Sequence, residues 1–303
     1  MRLVTYRATV EAKARLGAIA GDALIDLARL GAAEGVALPA TMLDFIDLGP
    51  QAIAVAGGLI DKAKGSFPIG AAMPVGNAKL LAPIPRPRKN IFGIGLNYTE
   101  HVAESARTLD TSDQLPKQPV IFSKPPTAVI AWNEPIRHNA KVTQQLDWET
   151  ELAVVIGQNA RDVAEADALD YVFGYTVIND VSARDCRRAG QWIVSKGQDS
   201  FAPMGPCIVT RDEITDPHNL NLWTRVNGVE KQNSNTRFML FNVNQLIADI
   251  SSVMTLEPGD IIATGTPAGV GAGRDPQEFM WPGDTVESHI EGIGTLRNPI
   301  VAI

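Results

Sequence analysis

From residue 90 onward the chain is cut into short apolar runs separated by glycine and proline turns, and this punctuation limits the fold more than any other feature. "NIFGIGLN", "PVIFSK", "ELAVVIG", "VFGYTVIND", "APMGPCIVT", "LWTRVNG", "DIIATGTPAGVG" and "DTVESHIEGIGTLRNPIV" are strand-length pieces rich in β-branched residues. A doubly wound parallel sheet needs a crossover helix between successive strands. Only one clear helical pattern, "FNVNQLIADISSVM" (241–254), interrupts this series. The predicted fold class is α+β, mixed and mainly β.

Upstream, "APIPRPRKN" (82–90) places three prolines where neither a helix nor a central strand continues, so it reads as a linker or boundary. Before it, "RLVTYRAT" alternates like a strand, "ARLGAIAGDALIDL" reads as two strands about a Gly21-Asp22 turn, and "TMLDFIDLGPQAIAVAGGLIDKAK" is mostly helical. The expected division is a small α/β N-terminal domain over residues 1–78 and a larger domain over 79–303.

Within the larger domain, "DWETELAVVIG" (147–157) poses a physical problem. Asp147, Glu149 and Glu151 lead into a buried strand at every second position, so an extended chain points them to one face. Like charges there repel, and burying them ionised without compensation is costly. A divalent cation resolves both difficulties, and Mg²⁺ needs only two or three carboxylates because it keeps several waters. Asp180, ending the apolar run of "VFGYTVINDVSARD", is a further candidate. The plainer alternative is the wet edge of a half-exposed strand.

"GIGLNYTEHVAES" (93–105) opens with G-x-G but lacks the third glycine and helix opening of a dinucleotide site. It predicts instead a short helix on which His101 and Glu104, three apart, share a face. A carboxylate beside an imidazole orients it as a general base, unless the two are merely an exposed surface pair. The polar stretch "ARTLDTSDQLPKQP" that follows suits a lid. Lys196 lies in a Ser-Lys-Gly turn, either stabilising negative charge near a metal or lying along the surface. "ATGTPAGVG" (263–271) offers hydroxyls and close backbone amides for a small anion. G-x-S-x-G and H-E-x-x-H are both absent.

A formal charge of −7 argues against a nucleic-acid surface, and no run approaches the roughly 18 apolar residues of a membrane span. Cys186 and Cys207 are too few for a disulfide framework, and the N-terminus lacks the order of a secretion signal. A soluble cytoplasmic protein is expected.

Six segments in order, "GLNYTEHVAE", "FSKPPTAV", "DWETELAVVIG", "GYTVINDVSARD", "SKGQDSFAPMGP" and "FNVNQLIADISSVMTLEPGDIIATGTPAGVG", resemble the fumarylacetoacetate hydrolase family, from about Ile84 to the C-terminus. The first 75 or so residues resemble the small N-terminal domain of some members. The resemblance implies a mixed β-roll catalytic domain, a homodimer, and Mg²⁺ or Mn²⁺ held by Glu149, Glu151 and Asp180. It implies catalytic roles for His101, Glu104 and Lys196, and substrate contacts from Thr266, Arg187 and Lys124. Leu96 sits where some acylpyruvate-cleaving members have Arg, Arg187 sits where many members have Gln, and Gln198 replaces a common aromatic. These departures bear on how the substrate's distal end is read. The expected reaction is divalent-metal-dependent hydrolysis of a C–C bond in a small β-diketo acid. The alternative is decarboxylation, isomerisation or hydration of a 2-oxo acid in aromatic-compound catabolism, and the alternative of another class is a non-catalytic β-domain with a structural cation.

Overall fold

A computed structural model describes residues 1–108 and 114–303, with the side chains of 106–108 left out. The expected lid falls partly on 109–113, outside the described residues. The fold is α+β and sheet-rich. The main sheet runs 72–74, 23–26, 15–20, 2–7, 202–210, 172–179, 150–156, 261–263, 91–95 and 120–124, with 79–81 paired to 2–7 and 129–130 to 202–210. Most of its pairs are antiparallel, while Ile261–Ala263 runs parallel to Ile91–Gly95.

A five-stranded sheet, in order 229–235, 221–226, 285–290, 294–302 and 136–138, packs on one face of the main sheet with the helix Val243–Val253. That helix begins at Asn242, whose side chain accepts from the Gln245 amide (3.0 Å) while Gln245 Oε1 accepts from the Asn242 amide (2.9 Å). Its apolar stripe, Val243, Leu246, Ile247 and Ile250, is buried at helical spacing. The N-terminal helices Leu27–Ala33, Met42–Asp47 and Pro50–Ala63 cover the other face. Among the described residues no helix is long and apolar enough to cross a membrane.

The regions before and after residue 78 share a sheet and a core. Arg2–Arg7 pairs antiparallel with Ala202–Thr210, Leu3 lying opposite Ile208. Leu3, Leu16, Ile25 and Phe45 share one core with Ala153, Val155, Phe173 and Ile178. The N-terminal strands thus satisfy what would be an open sheet edge.

Candidate metal centre and active site

Glu149 and Glu151 flank the start of the strand Thr150–Ile156, and Asp180 follows its neighbour Val172–Asn179. Antiparallel pairing sets Thr150 opposite Asn179, so register alone brings the three acids to one end of the strand pair. An oxygen from each lies within 4.8 Å of the other two, and all three residues are buried. Asp147 takes a different course. It belongs to the two-residue strand Leu146–Asp147, and its carboxylate accepts from the amides of Gly271 (2.6 Å) and Ala272 (3.0 Å) and from Arg184 Nε (2.8 Å). The every-second-residue alternation stops where the strand breaks at Trp148.

Among the described residues, the buried Lys124 and Lys196 and the partly buried Arg184 oppose these acids. Lys196 Nζ donates to Glu149 Oε2 (2.7 Å) and Asp180 Oδ2 (2.6 Å), and Arg184 Nη2 lies 2.7 Å from Glu149 Oε1. Lys124 Nζ is bound to Asp180 Oδ1 and the Lys196 carbonyl and is fully buried. Burial tends to raise the Glu149 carboxyl, but Lys196 and Arg184 outweigh it and hold the group well below the usual range. Glu151 goes the other way: burial, then Asp180 and Glu149, push it well above that range. Burial drives the Lys124 ammonium down, against the pull of Asp180.

Glu151 Oε2 accepts from the Gly265 amide (2.8 Å), while Oε1 is buried with no partner among the described residues. Four acids (Asp147, Glu149, Glu151, Asp180) face three cations (Lys124, Arg184, Lys196). An unpartnered carboxylate oxygen beside two other carboxylates fits a hard divalent cation. Glu149, Glu151 and Asp180 could each offer it one ligand oxygen.

The helix Thr99–Thr108 brings the imidazole to the same pocket, which is lined by His101, Ser105, Glu149, Arg184, Arg187 and Lys196 among others. His101 Nδ1 lies 3.1 Å from Glu104 Oε2. A carboxylate accepts there, so Nδ1 carries the proton and Nε2 presents its lone pair, with the Ser105 hydroxyl 3.4 Å away. Glu104 is seated against Gly273, where a Cβ would fall 2.1 Å from its carboxyl carbon, and it accepts from the Gly269 amide (3.0 Å). The glycine-rich loop after residue 263 does bind anions, but they are the protein's own: Glu151 at Gly265, Glu104 at Gly269 and Asp147 at Gly271.

The structure places three further candidate residues as follows. Lys124 is not among the residues lining the pocket, and its ammonium is bound to Asp180 and to backbone carbonyls. Lys196, in the Ser-Lys-Gly stretch, ends the one-turn helix Ile193–Lys196. Thr266 lines the pocket, yet its hydroxyl donates to the Thr150 carbonyl (3.0 Å) and accepts from Gln232 (2.8 Å), leaving it no proton for a ligand. Arg187 lines the pocket, whereas Gln198 turns back to the Val194 carbonyl (3.1 Å). Sequence reasoning missed Arg184; the signal was its place in "NDVSARD", four residues after Asp180 on a turn leaving the strand.

The fold and the charged pocket define an enzyme of a particular class. A model of the fumarylacetoacetate hydrolase C-terminal region matches residues 90–301, and the chain belongs to that family. The mitochondrial oxaloacetate tautomerase fahd2 of Xenopus laevis is 40% identical over 306 residues, covering 99% of this chain and 90% of that protein. The oxaloacetate tautomerase YisK of Bacillus subtilis is 41% identical over 270 residues, 87% of each chain. Among solved structures, the maleylpyruvate hydrolase of Sphingobium sp. SYK-6, in complex with manganese(II) and pyruvate, is similar with a TM-score of 0.78 and 31% identity, covering 100% of this chain and 99% of that one.

Proposed function

We propose that the protein interconverts the keto and enol forms of a small 2-oxo acid, oxaloacetate being the first substrate to test. The observation carrying this reading is the carboxylate-held imidazole of His101 lining the same pocket as Glu149 of the carboxylate trio. A divalent ion, when held by Glu149, Glu151 and Asp180, supplies Lewis acidity that makes the C–H beside a chelated keto group easier to ionise. His101 takes that proton at Nε2 and returns it to oxygen or to carbon, so one group serves both directions and no water is consumed. Glu104 fixes the tautomer and stabilises the imidazolium between the two transfers. Lys196 and Arg184 keep Glu149 ionised. Two relatives named as oxaloacetate tautomerases, each about 40% identical over most of the chain, support this reading.

Hydrolysis of a C–C bond in a small β-diketo acid is the second reading, and the His101–Glu104 pair favours it because an oriented imidazole also suits deprotonation of water. A purely structural cation gives no reason for His101, Ser105 and Lys196 to meet beside the trio. Enol-oxaloacetate decay and pyruvate release from an acylpyruvate, each followed with Mg²⁺ or Mn²⁺ and after chelation, separate the two reactions. Metal-dependent acceleration of the first without the second is expected. Acylpyruvate cleavage without any effect on enol decay would replace the proposal with hydrolysis.

A further inference from the structure

The pocket has a polar part and an apolar wall. His101, Glu149 and Lys196 belong to the first, and Ile94, Leu96 and Trp192 to the second. Trp192 stands there because the strand Ile91–Gly95 admits it. A Cβ on Gly95 would fall 2.3 Å from Trp192 Cζ3 and 2.6 Å from Cη2, so the indole lies directly against the strand backbone. The Phe122 ring packs on it at 5.2 Å with a 46° tilt. Phe122 takes the matching place over Gly93, where a Cβ would fall 2.3 Å from its Cζ. The Arg187 guanidinium carbon lies 4.7 Å from the centre of the indole. Strand, ring and cation together hold the indole in one place.

The room left beside it is small. The cavity measures about 40 Å³, against the roughly 300–1,000 Å³ of pockets that enclose drug-sized ligands. A 2-oxo acid whose carboxylate and keto oxygens are drawn to the polar part leaves its distal group to meet the indole. We propose that Trp192 is a specificity-determining residue that admits compact distal groups and excludes an aryl or branched one. The proposal rests on the 2-oxo acid reading above and narrows it to compact acids.

L-lactate and L-mandelate make a matched pair of probes, sharing a chelating 2-hydroxy acid end and one negative charge, and differing as methyl and phenyl. Charge acts alike on both, so their affinity ratio reads the room beside the indole. Calorimetry on the Mg²⁺-loaded protein is expected to give lactate at least about 10-fold tighter binding than mandelate, since a fixed wall resists overpacking. Trp192→Ala should erase or invert that ratio, because the phenyl then buries apolar surface in the vacated space. Trp192→Leu should reduce it, and Trp192→Phe should keep the larger part. Thermal melts check that each variant folds, and Trp192→Leu carries the test if Trp192→Ala does not. Equal affinities in the wild type, or an unchanged lactate preference in the folded alanine or leucine variant, would overturn the proposal. If lactate is preferred and the small variants lose the preference, yet oxaloacetate is not turned over, the tautomerase reading fails and the size-limiting indole stands. If oxaloacetate is turned over but the wild type binds both probes alike, this inference alone fails. Binding of neither probe would overturn the inference, and oxaloacetate turnover then decides the tautomerase reading by itself.

Discussion

The two sides of the pocket are built differently. On the acidic side, each carboxylate oxygen of Asp147, Glu149 and Asp180 has a cation or backbone amide against it; Glu149 and Asp180 stand beside strands of the main sheet and Asp147 on the short strand Leu146–Asp147. On the imidazole side, His101 hangs on the helix Thr99–Thr108 and touches the rest of the site through Glu104 and the Gly269 amide. The contrast teaches where stability and chemistry separate. A buried charge removed from the first side strands its partners, whereas the second side can lose its reacting group with little effect on folding.

The largest break is expected from Asp180→Ala. It leaves the Lys124 and Lys196 ammoniums facing each other in a buried setting, which costs on the order of 3–5 kcal/mol of stability and abolishes metal binding. Denaturant unfolding and manganese titration check both parts. Lys196→Met should lower turnover by on the order of 10²–10³ in a protein that still folds, since a preorganised charge beside the reacting groups is lost. Near-normal turnover would remove Lys196 from the chemistry. Lys124→Met tests positioning without substrate contact. Metal affinity should fall about 10- to 100-fold, with a smaller change in KM at saturating metal. A rise in KM alone would return Lys124 to the substrate.

The smallest effect sharpens the comparison from outside the pocket. Asp26 is buried and accepts from Arg15 Nε (2.5 Å), the Tyr6 hydroxyl (2.7 Å) and the Arg29 amide (2.9 Å). Burial tends to raise its carboxyl, but these partners together lower it below the ordinary aspartate value. The folded state therefore favours the ionised form. Its contribution is full above about pH 4 and is lost as pH falls through the lowered pKa. Asp26→Asn should flatten the acid limb of the stability profile and leave activity at neutral pH unchanged. An unaltered acid limb would show that Asp26 contributes nothing there.

Much of this molecule was legible before any coordinates. Alternation and turn residues located most strands, and the helical pattern of 241–254 marked the helix Val243–Val253. The polar strand Val229–Asn235 escaped because it is an edge with few apolar residues. Its signal was the Asn227-Gly228 turn, both residues at positive φ (52° and 77°), which folds it onto Asn221–Val226. Glu149 and Glu151 were legible from their spacing, but the partners of the acids were not. Lys124, Arg184 and Lys196 come from three separate stretches, and only register and crossover place them on the same carboxylates. Nor does local sequence tell that the amides after residue 263 are spent on the protein's own acids.

The central claim is that ion binding and proton transfer reside on opposite sides of one pocket, and two variants measured together test it most directly. Mn²⁺ affinity by calorimetry and the rate of keto–enol exchange of oxaloacetate should be compared in the wild type, His101→Ala and Glu151→Gln. His101→Ala should bind Mn²⁺ as the wild type does and exchange about 10²–10⁴-fold more slowly. Glu151→Gln should lose the ion and with it the exchange, without losing stability in the metal-free state, because the amide removes a buried carboxyl already pushed well above its usual range by burial, Asp180 and Glu149. Undiminished Mn²⁺ binding in Glu151→Gln, or wild-type exchange in His101→Ala, would contradict the account.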